Sequence, residues 1–441
     1  MSIHLLDRSI APPSQPMEKV LFPEVHRHEL ANGVPVYMVQ FGTQEIVELS
    51  AVFRAGRSFE SQSAVASFAA NMLQEGTRNY SGLEFARQLN HFGAFINSET
   101  GYESATWHLS SLTKHLPATV RLLAEPVLHP TFPAAELQKL QDRTIERLDV
   151  EEKKTGYRAR KEFNRLLHGA DSPHGRATDK EDVAKLALDQ LQDFHRHHYN
   201  LANAFFVACG RFNEAELLGE LNRQFGAADL VDPALRIDPE TSAARHPNQE
   251  HPQGLHYFEM KDSMQATVRV GHKAFARRHP DFHRLQLVNT VLGGYFGSRL
   301  MKNIREEKGY TYGIGSAWLA MKYDGTFLIQ TDVGNEYIEA TLTEIRKEIH
   351  QLIDKGVQRD ELDLVKNYML GRSASARETP SQLANIIKTC LVNEVPFTDL
   401  DDKFEIVQSI TPEEVQALAQ TYLRPDAMLE VVAGKMTPPT S

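Results

Sequence analysis

The feature that most constrains the fold of this chain is an internal repeat, in which sequence landmarks recur after about 224 residues. The landmarks are a Glu-Leu pair in a helical stretch, a tyrosine before an apolar strand and a glycine after it, and they pair Glu136 with Glu361, Tyr199 with Tyr422, and Gly210 with Gly434. The separations are 225, 223 and 224 residues. One shared helix could produce one such match, but agreement among three landmarks indicates two similar units in succession.

Local composition sets the limits of the two units. Four prolines within residues 1–24 predict an extended arm. The first unit spans residues 25–228 and the second residues 255–435, with a linker rich in Pro and Asp at 229–254. Residues 436–441 form a short tail. A length of 441 residues suits two to four domains, so two units of this size are reasonable.

Each unit mixes hairpins with helices. Alternation predicts strands around the Asn32-Gly33 turn, at 45–53, and in a hairpin at 95–112. Helical periodicity is found at 64–74, 116–128, from 134 onward and at 188–199, before a strand at 204–210. Because helices and strands do not alternate strictly, we predict an α+β fold. It consists of two homologous α/β-sandwich-like domains, each a mixed, mostly antiparallel sheet with helices packed on it, facing each other across a groove.

The composition argues against several classes of partner. The formal net charge is −10, the pI is near 6.0, and no basic cluster is interleaved with aromatic residues, so nucleic acid is not expected to bind. No stretch approaches eighteen apolar residues and the N-terminus lacks the pattern of a signal peptide, so we expect a cytoplasmic chain without a membrane partner. Two cysteines, Cys209 and Cys390, are too few for a disulfide framework or a cysteine zinc site.

Residues 292–318 combine an apolar helix, a basic residue and a tyrosine. Apolar residues four apart, at Phe296, Leu300 and Ile304, predict a helix that ends at Gly309. Alternation from Tyr310 to Trp318 then predicts a strand. Arg305 would lie in the last turns of the helix and Tyr312 on the strand, where both could donate hydrogen bonds to a carbonyl or an oxyanion. The alternative is an Arg favoured by the helix dipole and a half-buried strand tyrosine.

The repeat, the length of each half and the run GGYFGSRLMKNIREEKGYTY together resemble the insulinase-like, or pitrilysin, zinc peptidases, in particular short members that work as two-subunit assemblies. The resemblance covers residues 25 to 435. In that family the first half carries the motif His-x-x-Glu-His on a helix, and a distant Glu is the third protein ligand. Two imidazoles and a carboxylate hold zinc with one position open, and the motif Glu acts as base on the bound water.

This chain departs from the family pattern at the zinc motif. The family segment GxAHFLEHMLFxGT corresponds to AVASFAANMLQEGT at 64–77, so Ser67 and Asn71 replace the two histidines and Ala70 replaces the base. Glu146 lies about where the third ligand would come, although a solvated helix carboxylate is the alternative. Such a set would bind a first-row metal weakly and would leave water without a base. The resemblance therefore implies that this subunit holds no cofactor and cannot hydrolyse peptides alone.

The second half of the chain retains the Arg and the Tyr that the resemblance implies. In the family an Arg and a Tyr seven residues later project toward the zinc, binding substrate and stabilising the tetrahedral intermediate, and they correspond here to Arg305 and Tyr312. The chain thus resembles the helper subunit of a heterodimeric peptidase whose homologous partner carries zinc and which acts on peptides. The alternative is an inactive structural or binding member, like the respiratory-complex core proteins of this family.

Two further motifs have simpler explanations. His195, His197 and His198 could hold a metal in principle, but they lie at a predicted helix C-terminus, where imidazoles are favoured by the dipole and are expected to be exposed. No carboxylate or cysteine accompanies them at ligand spacing. Gly293, Gly294 and Gly297 lack the GK[ST] of a phosphate loop, so close helix packing or a bend is expected there. The segment 95–100 resembles the edge strand on which an active relative places its peptide substrate.

Overall fold

The structure is a computed structural model that describes residue 19 and residues 21–238 and 250–435. The predicted tail, most of the predicted arm and residues 239–249 of the predicted linker lie outside the described residues. Within the described part of the chain, no helix is both long and apolar enough to cross a bilayer.

The first half contains six strands and eight α-helices among the described residues. The strands are β1 (His26–Glu29), β2 (Pro35–Gln40), β3 (Ile46–Phe53), β4 (Phe95–Thr100), β5 (Ala105–Leu112) and β6 (Ala204–Gly210). The helices are α1 (Val65–Met72), α2 (Gly82–Phe92), α3 (Leu116–Leu128), α4 (Ala134–Glu151), α5 (Thr155–His168), α6 (Lys180–Ala184), α7 (Leu188–His198) and α8 (Glu214–Phe225). The strands and helices predicted from periodicity in this half are present, with small shifts at their ends.

The second half contains five strands and six α-helices in its described residues. The strands are β7 (Gly254–Glu259), β8 (Gln265–Ala274), β9 (Ile314–Ala320), β10 (Gly325–Gly334) and β11 (Leu429–Gly434). The helices are α9 (Phe282–Asn289), α10 (Ile338–Lys355), α11 (Arg359–Ser375), α12 (Pro380–Asn393), α13 (Asp399–Ser409) and α14 (Pro412–Tyr422). Two segments, Thr290–Gly294 and Met301–Glu307, are π-helical.

The two sheets have the same strand order. The first sheet is ordered β1-β2-β6-β3-β5-β4 and the second β7-β11-β8-β10-β9, so the second repeats the first without its edge strand β1. All neighbouring strands are antiparallel except the pairs β2–β6 and β7–β11. The prediction of an α+β fold with two similar, mostly antiparallel domains is confirmed.

Each sheet buries one face against helices of its own half. In the first half this core contains the fully buried Trp107 and Phe206, and in the second half Phe327 and Ile329. Alternating apolar side chains on the strands supply one side of each core, and the apolar stripes of the helices supply the other. Burial of these large side chains provides the main stabilisation of each half.

The opposite face of each sheet is covered by a helix from the other half. Helix α5 of the first half packs on β8 and β11, where Phe163 and Leu167 contact Val431 in a small apolar cluster. Helix α12 of the second half packs on β3 and β6, where Leu383 and Ile387 form the matching cluster. The two helices occupy corresponding places in the two halves, so each half contributes one equivalent helix to the sheet of the other.

Polar contacts hold both exchanged helices in place. At the end of α5, the buried His168 bonds to Asp324 through Nδ1 at 2.8 Å and to Thr326 through Nε2 at 3.0 Å. On α12, Lys388 donates from Nζ to Glu99 of β4 at 3.0 Å. Hydrogen bonds that involve a charged group stabilise more than neutral ones, so these contacts fix each helix on its foreign sheet.

Candidate functional site

Helix α1 carries the segment that resembles the zinc motif. It spans only Val65–Met72, and six of its eight residues are buried against the first core. The two accessible side chains are Ser67, which is half-buried, and Asn71, which is exposed. They are four residues apart and therefore lie on one face of the helix. The sequence places on this face the two positions at which the family has zinc ligands.

The start of α1 is held in an unusual backbone conformation. Ala64, the N-cap residue, has φ of 77°, in the left-handed region that favours glycine. The buried carboxylate of Glu60 accepts a hydrogen bond from the backbone N–H of Ala66 at 3.1 Å. Burial raises the pKa of the Glu60 carboxyl. The helix N-terminus thus has a carboxylate partner, and Ala64 takes the place of the first glycine of the family pattern.

The side chains of α1 differ in chemistry from the ligands of a zinc site. The Ser67 hydroxyl donates to the carbonyl of Ala64 at 3.0 Å, and Ala70, with 2% of its surface exposed, has no group that accepts a proton. Glu146 lies on the exposed face of α4. No group of three His, Cys, Asp or Glu side chains close enough to hold a metal includes Glu146, as far as the described residues show. A hydroxyl, an amide and one carboxylate do not match the imidazole and carboxylate set that zinc prefers.

Arg305 lies on the π-helical segment Met301–Glu307, which is anchored to its neighbours by polar side chains. Arg299 donates two hydrogen bonds to Glu361 of α11, at 2.8 and 2.7 Å. The buried Asn303 donates to Glu348 of α10 at 2.7 Å. Lys308 N–H bonds to the carbonyl of Asn303 five residues earlier, and Gly309, with φ of 67°, ends the segment as predicted.

The guanidinium of Arg305 stands over an exposed aromatic ring. Its Cζ lies 4.5 Å from the centroid of Phe296, whose surface is 64% exposed. The nearest carboxylate oxygen is that of Glu306, at 3.9 Å, and one third of the Arg305 side chain is accessible. The prediction of a continuous helix from Phe296 is wrong, because the chain turns irregularly from Tyr295 to Ser298 and helical structure resumes only at Arg299. This turn brings Phe296 beneath the guanidinium.

Tyr312 lies on a loop, not on a strand as predicted. Strand β9 begins at Ile314, where pairing with β10 starts. Tyr310 stacks on Tyr337 with centroids 4.7 Å apart, and the Thr311 hydroxyl donates to the carbonyl of Asp332 at 2.7 Å. Tyr312 itself is 94% exposed, and its hydroxyl makes no hydrogen bond to the described part of the chain. The neighbours of Tyr312 are thus fixed while its phenol faces solvent.

The predicted site residues form two separate groups. Ser67, Ala70 and Asn71 share α1, and Arg305 and Tyr312 share the segment that leads into β9. Among the described residues, no hydrogen bond or ion pair joins one group to the other. The first group belongs to the first half of the fold and the second group to the second half.

Two predictions about neighbouring features have different outcomes. The segment 95–100 is the edge strand β4 of the first sheet, as expected for a peptide-binding strand. The expectation that His195 is exposed is wrong, because its Nε2 donates to the carbonyl of Val127 at 2.8 Å and burial lowers its pKa to about 4. A histidine held in this way is a packing residue.

Sequence reasoning missed one cluster of metal-ligating side chains. His26 and His28 on β1 meet Glu214 at the start of α8. The two histidines alternate along a short polar strand, but the carboxylate is 188 residues from His26. The His-x-His pair was the available signal, and the strand pairing that brings Glu214 near it was not visible in the sequence.

Family models match most of the chain. Residues 37–168 match the insulinase family, peptidase family M16, and residues 185–369 match the M16 peptidase inactive domain. The chain belongs to the M16 family. The first matched segment lies within the first half of the fold, whereas the second begins just before α7 of the first half and extends into the second half. The segment that resembles the zinc motif lies within the first matched segment.

Relatives of similar length carry conflicting descriptions. A relative from Bacillus subtilis, named "Uncharacterized zinc protease YmxG", is 22% identical over 93% of this chain and 98% of its own length. A relative from Helicobacter pylori, named "Non-peptidase homolog YmxG", is 25% identical over 87% of this chain and 88% of its own. Both kinds of description therefore occur among chains that align with this one along nearly their full length.

Several solved structures share the fold. A crystal structure described as the peptidase M16 inactive domain from Pseudomonas fluorescens has a TM-score of 0.84 at 24% identity, covering 94% of this chain and 98% of that one. A protease from Helicobacter pylori has a TM-score of 0.84 at 19% identity, over 94% and 100%. The periplasmic protease PqqL from Escherichia coli has a TM-score of 0.76 at 16% identity, and the match covers 97% of this chain and 49% of PqqL.

Proposed function

We propose that this chain is the subunit of a heterodimeric M16 peptidase that lacks the catalytic zinc, and that it supplies Arg305 and Tyr312 to the zinc site of a homologous partner. The observation that carries the proposal is the state of Tyr312, which is 94% exposed on a loop whose two preceding residues are fixed. An aromatic side chain held outward, with no hydrogen bond to the described part of its own chain, is typical of a group that meets another molecule.

The surroundings of Arg305 support the same conclusion. Its guanidinium is oriented by the Phe296 ring and is not neutralised by a close bidentate carboxylate, so its donors are available to peptide carbonyls. The π-helical backbone under Arg305 is a rare conformation that is enriched at functional sites. Anchoring by Arg299 and Asn303 limits the motion of the segment, which reduces the entropy lost when a substrate binds.

The division of chemistry between two chains follows from the side chains present. The α1 face of this chain offers no base and no imidazole, so zinc and the base that activates water would come from the partner. Tyr312 would donate a hydrogen bond to the oxyanion as it forms, and Arg305 would hold the carbonyls of the bound peptide. The edge strand β4 is a second place where an extended peptide could pair.

Mutants of the mixed enzyme test the proposal. Tyr312→Phe should lower kcat by roughly tenfold to a thousandfold, because the hydroxyl stabilises charge that is present only in the transition state. Arg305→Ala should also raise KM, because the guanidinium binds the peptide in the ground state as well. Activity would be measured after mixing each variant with the cognate chain that carries His-x-x-Glu-His, and size-exclusion chromatography with light scattering would check a one-to-one complex.

Matched controls separate a chemical role from a general disturbance. Tyr157→Phe removes a phenol hydroxyl from α5, and Arg196→Ala removes an exposed guanidinium from α7, so both should leave kcat/KM unchanged. If the Tyr312 and Arg305 variants assemble normally and keep wild-type kcat/KM, the pair has no catalytic part. Peptidase activity from this chain alone, abolished by a chelator, would also contradict the proposal.

The second candidate function is that of a structural or binding member without a part in catalysis. The name "Non-peptidase homolog" of the Helicobacter pylori relative favours it. This candidate predicts a complex with another M16 chain whose peptidase activity does not depend on Arg305 or Tyr312.

A further inference from the structure

Three side chains at the edge of the first sheet converge on one point. Nδ1 of His26 lies 2.9 Å from Oε1 of Glu214, and Nε2 of His28 lies 3.0 Å from Oε2 of the same carboxylate. The ligand atoms of all three residues are within 4.8 Å of one another. We call these residues the edge cluster. In the described part of the chain it is the one group of His, Cys, Asp and Glu side chains with this proximity.

The fold explains why the three residues meet. Positions i and i+2 of a strand face the same side, so β1 presents His26 and His28 together while Arg27 between them pairs with Glu29. Glu214 is the first residue of α8, and Asn213 caps that helix by accepting from the N–H of Glu216 at 3.1 Å. The Gln40 side chain of β2 donates to the carbonyl of Phe212 at 2.8 Å and fixes the approach to the helix. The cluster is therefore held by two strands and a helix cap.

We propose that the edge cluster binds one divalent transition-metal ion, and that zinc is the ion it fits best. Zinc holds His nitrogen and carboxylate oxygen at about 2.0–2.2 Å in tetrahedral geometry, so two ligands of one ion lie about 3.4 Å apart. The observed N–O separations of 2.9 and 3.0 Å would need to widen by only about half an ångström to admit the ion. Two imidazoles and a carboxylate favour zinc or a neighbouring first-row ion over calcium or magnesium, which prefer oxygen ligands.

Accessibility and the surrounding groups agree with an ion site. The three side chains are between 23% and 44% exposed, so an ion reaches them from solvent and water completes its coordination. Oε2 of Glu24 lies 3.8 Å from Nε2 of His26, the ring nitrogen that faces away from Glu214. Histidines that ligate metals commonly donate their second ring N–H to a carboxylate, which orients the ring.

The ion would join the edge strand to a helix and would not restore peptidase chemistry to α1. The edge cluster lies on β1 and α8, whereas Ser67 and Asn71 lie on α1. A metal at the cluster would fix β1, which has β2 as its single neighbour in the sheet, against the start of α8. The expectation that this chain has no metal arose from the degenerate motif, and the edge cluster is a separate set of ligands. This inference is independent of the proposed role of Arg305 and Tyr312.

Zinc titration of the full-length chain without an affinity tag tests the inference. The chain is first stripped with a chelator and dialysed, then titrated with zinc chloride in competition with a chromophoric chelator. We expect one equivalent of zinc per chain and a rise in the melting temperature on zinc addition. Glu214→Gln and the double variant His26→Gln with His28→Gln should each weaken binding by about tenfold or more and remove the shift in melting temperature.

Two controls and one rescue make the result specific. His197→Gln, at an exposed histidine of α7, and Ser67→Ala with Asn71→Ala should leave zinc binding unchanged. Glu214→His should restore binding relative to Glu214→Gln, since it supplies a third imidazole, whereas a plain ion pair would not be rescued by this change. The proposal would be overturned if all variants bound zinc with the same affinity, or if the wild-type chain bound zinc no more tightly than the edge-cluster variants. The edge cluster would then be only a hydrogen-bonded ion pair.

Discussion

Removing the ring of Phe163 should destabilise the second half of the molecule, although Phe163 belongs to the first half in sequence. Phe163 lies on α5 of the first half, is fully buried, and packs on the second sheet. Its ring covers the backbone of β8 so closely that a Cβ on Gly271 would lie 3.1 Å from the ring Cζ. Arg269 of β8 places its guanidinium 5.6 Å from the ring centroid on the same side.

The magnitude follows from burial. Replacing a fully buried Phe by Ala costs about 3–5 kcal/mol in free energy of unfolding, since both the transfer energy and the packing around the cavity are lost. An energy of about 1.4 kcal/mol corresponds to a factor of ten, so amides whose exchange requires opening of this contact should exchange roughly two to four orders of magnitude faster. The affected amides should include those of β8 and β11.

Hydrogen–deuterium exchange read by mass spectrometry measures this strand by strand. Phe163→Ala should accelerate exchange in β8 and β11, and Leu383→Ala on α12 should accelerate it in β3 and β6. Leu83→Ala, at a residue of α2 that is 64% exposed, is the matched control and should change stability by less than about 0.5 kcal/mol. If Phe163→Ala accelerates hydrogen exchange only between residues 25 and 228, then α5 and α12 do not couple the two halves energetically and the reasoning fails.

Three further changes test other parts of the structure. Burial lowers the pKa of His272 to about 4. Between pH 6.5 and pH 4 the unfolded chain therefore takes up a proton at this residue that the folded chain does not. The free energy of unfolding should fall by about 2 kcal/mol between neutral pH and pH 5 because of this residue. Urea unfolding of His272→Asn should show a weaker pH dependence, and an unchanged slope would refute this. Ala64→Gly should stabilise by up to about 1 kcal/mol in thermal unfolding, because it relieves a left-handed backbone, and a loss of stability would show that the conformation is not strained. The combined variant Ser67→His, Ala70→Glu and Asn71→His should bind one more zinc ion than the wild-type chain in metal analysis. The reason is that positions 67 and 71 share the accessible face of α1. If the variant gains no zinc, this face of α1 does not correspond to the zinc site of the family.

The sequence was sufficient to predict elements whose pattern is long and regular. The predicted spans of α3 and β6 agree with the structure at both ends, because their apolar periodicity is uninterrupted and their flanks carry clear turn signals. The segment from Tyr310 to Gly313 was misjudged for the opposite reason. Its alternation imitates a strand, but Thr311 bonds to β10 in a way that delays regular pairing until Ile314.

The candidate site was predictable only where its arrangement depends on residues that are close in the sequence. Arg305 and Tyr312 are seven residues apart, so their shared segment could be predicted, but the exposure of Tyr312 depends on the contacts of Tyr310 and Thr311 with residues outside the segment. The meeting of His26 with Glu214 depends on the sheet order, which local pattern does not specify. For the same reason, the apolar faces of α5 and α12 indicate burial but do not say which sheet they cover.

The reciprocal placement of α5 and α12 also determines how the protein matures on the ribosome. The first sheet has all its strands once β6 is synthesised, but its outer face receives α12 only after residue 393 has left the exit tunnel. At translation rates of about 5–20 residues per second, the intervening stretch takes roughly 10–40 s. Val39, Val207 and the Cys209 thiol are all buried in the finished molecule, and we expect them to stay uncovered on the nascent chain throughout that interval. They form an apolar surface that chaperones can recognise and that a second nascent copy can pair with through its own α12.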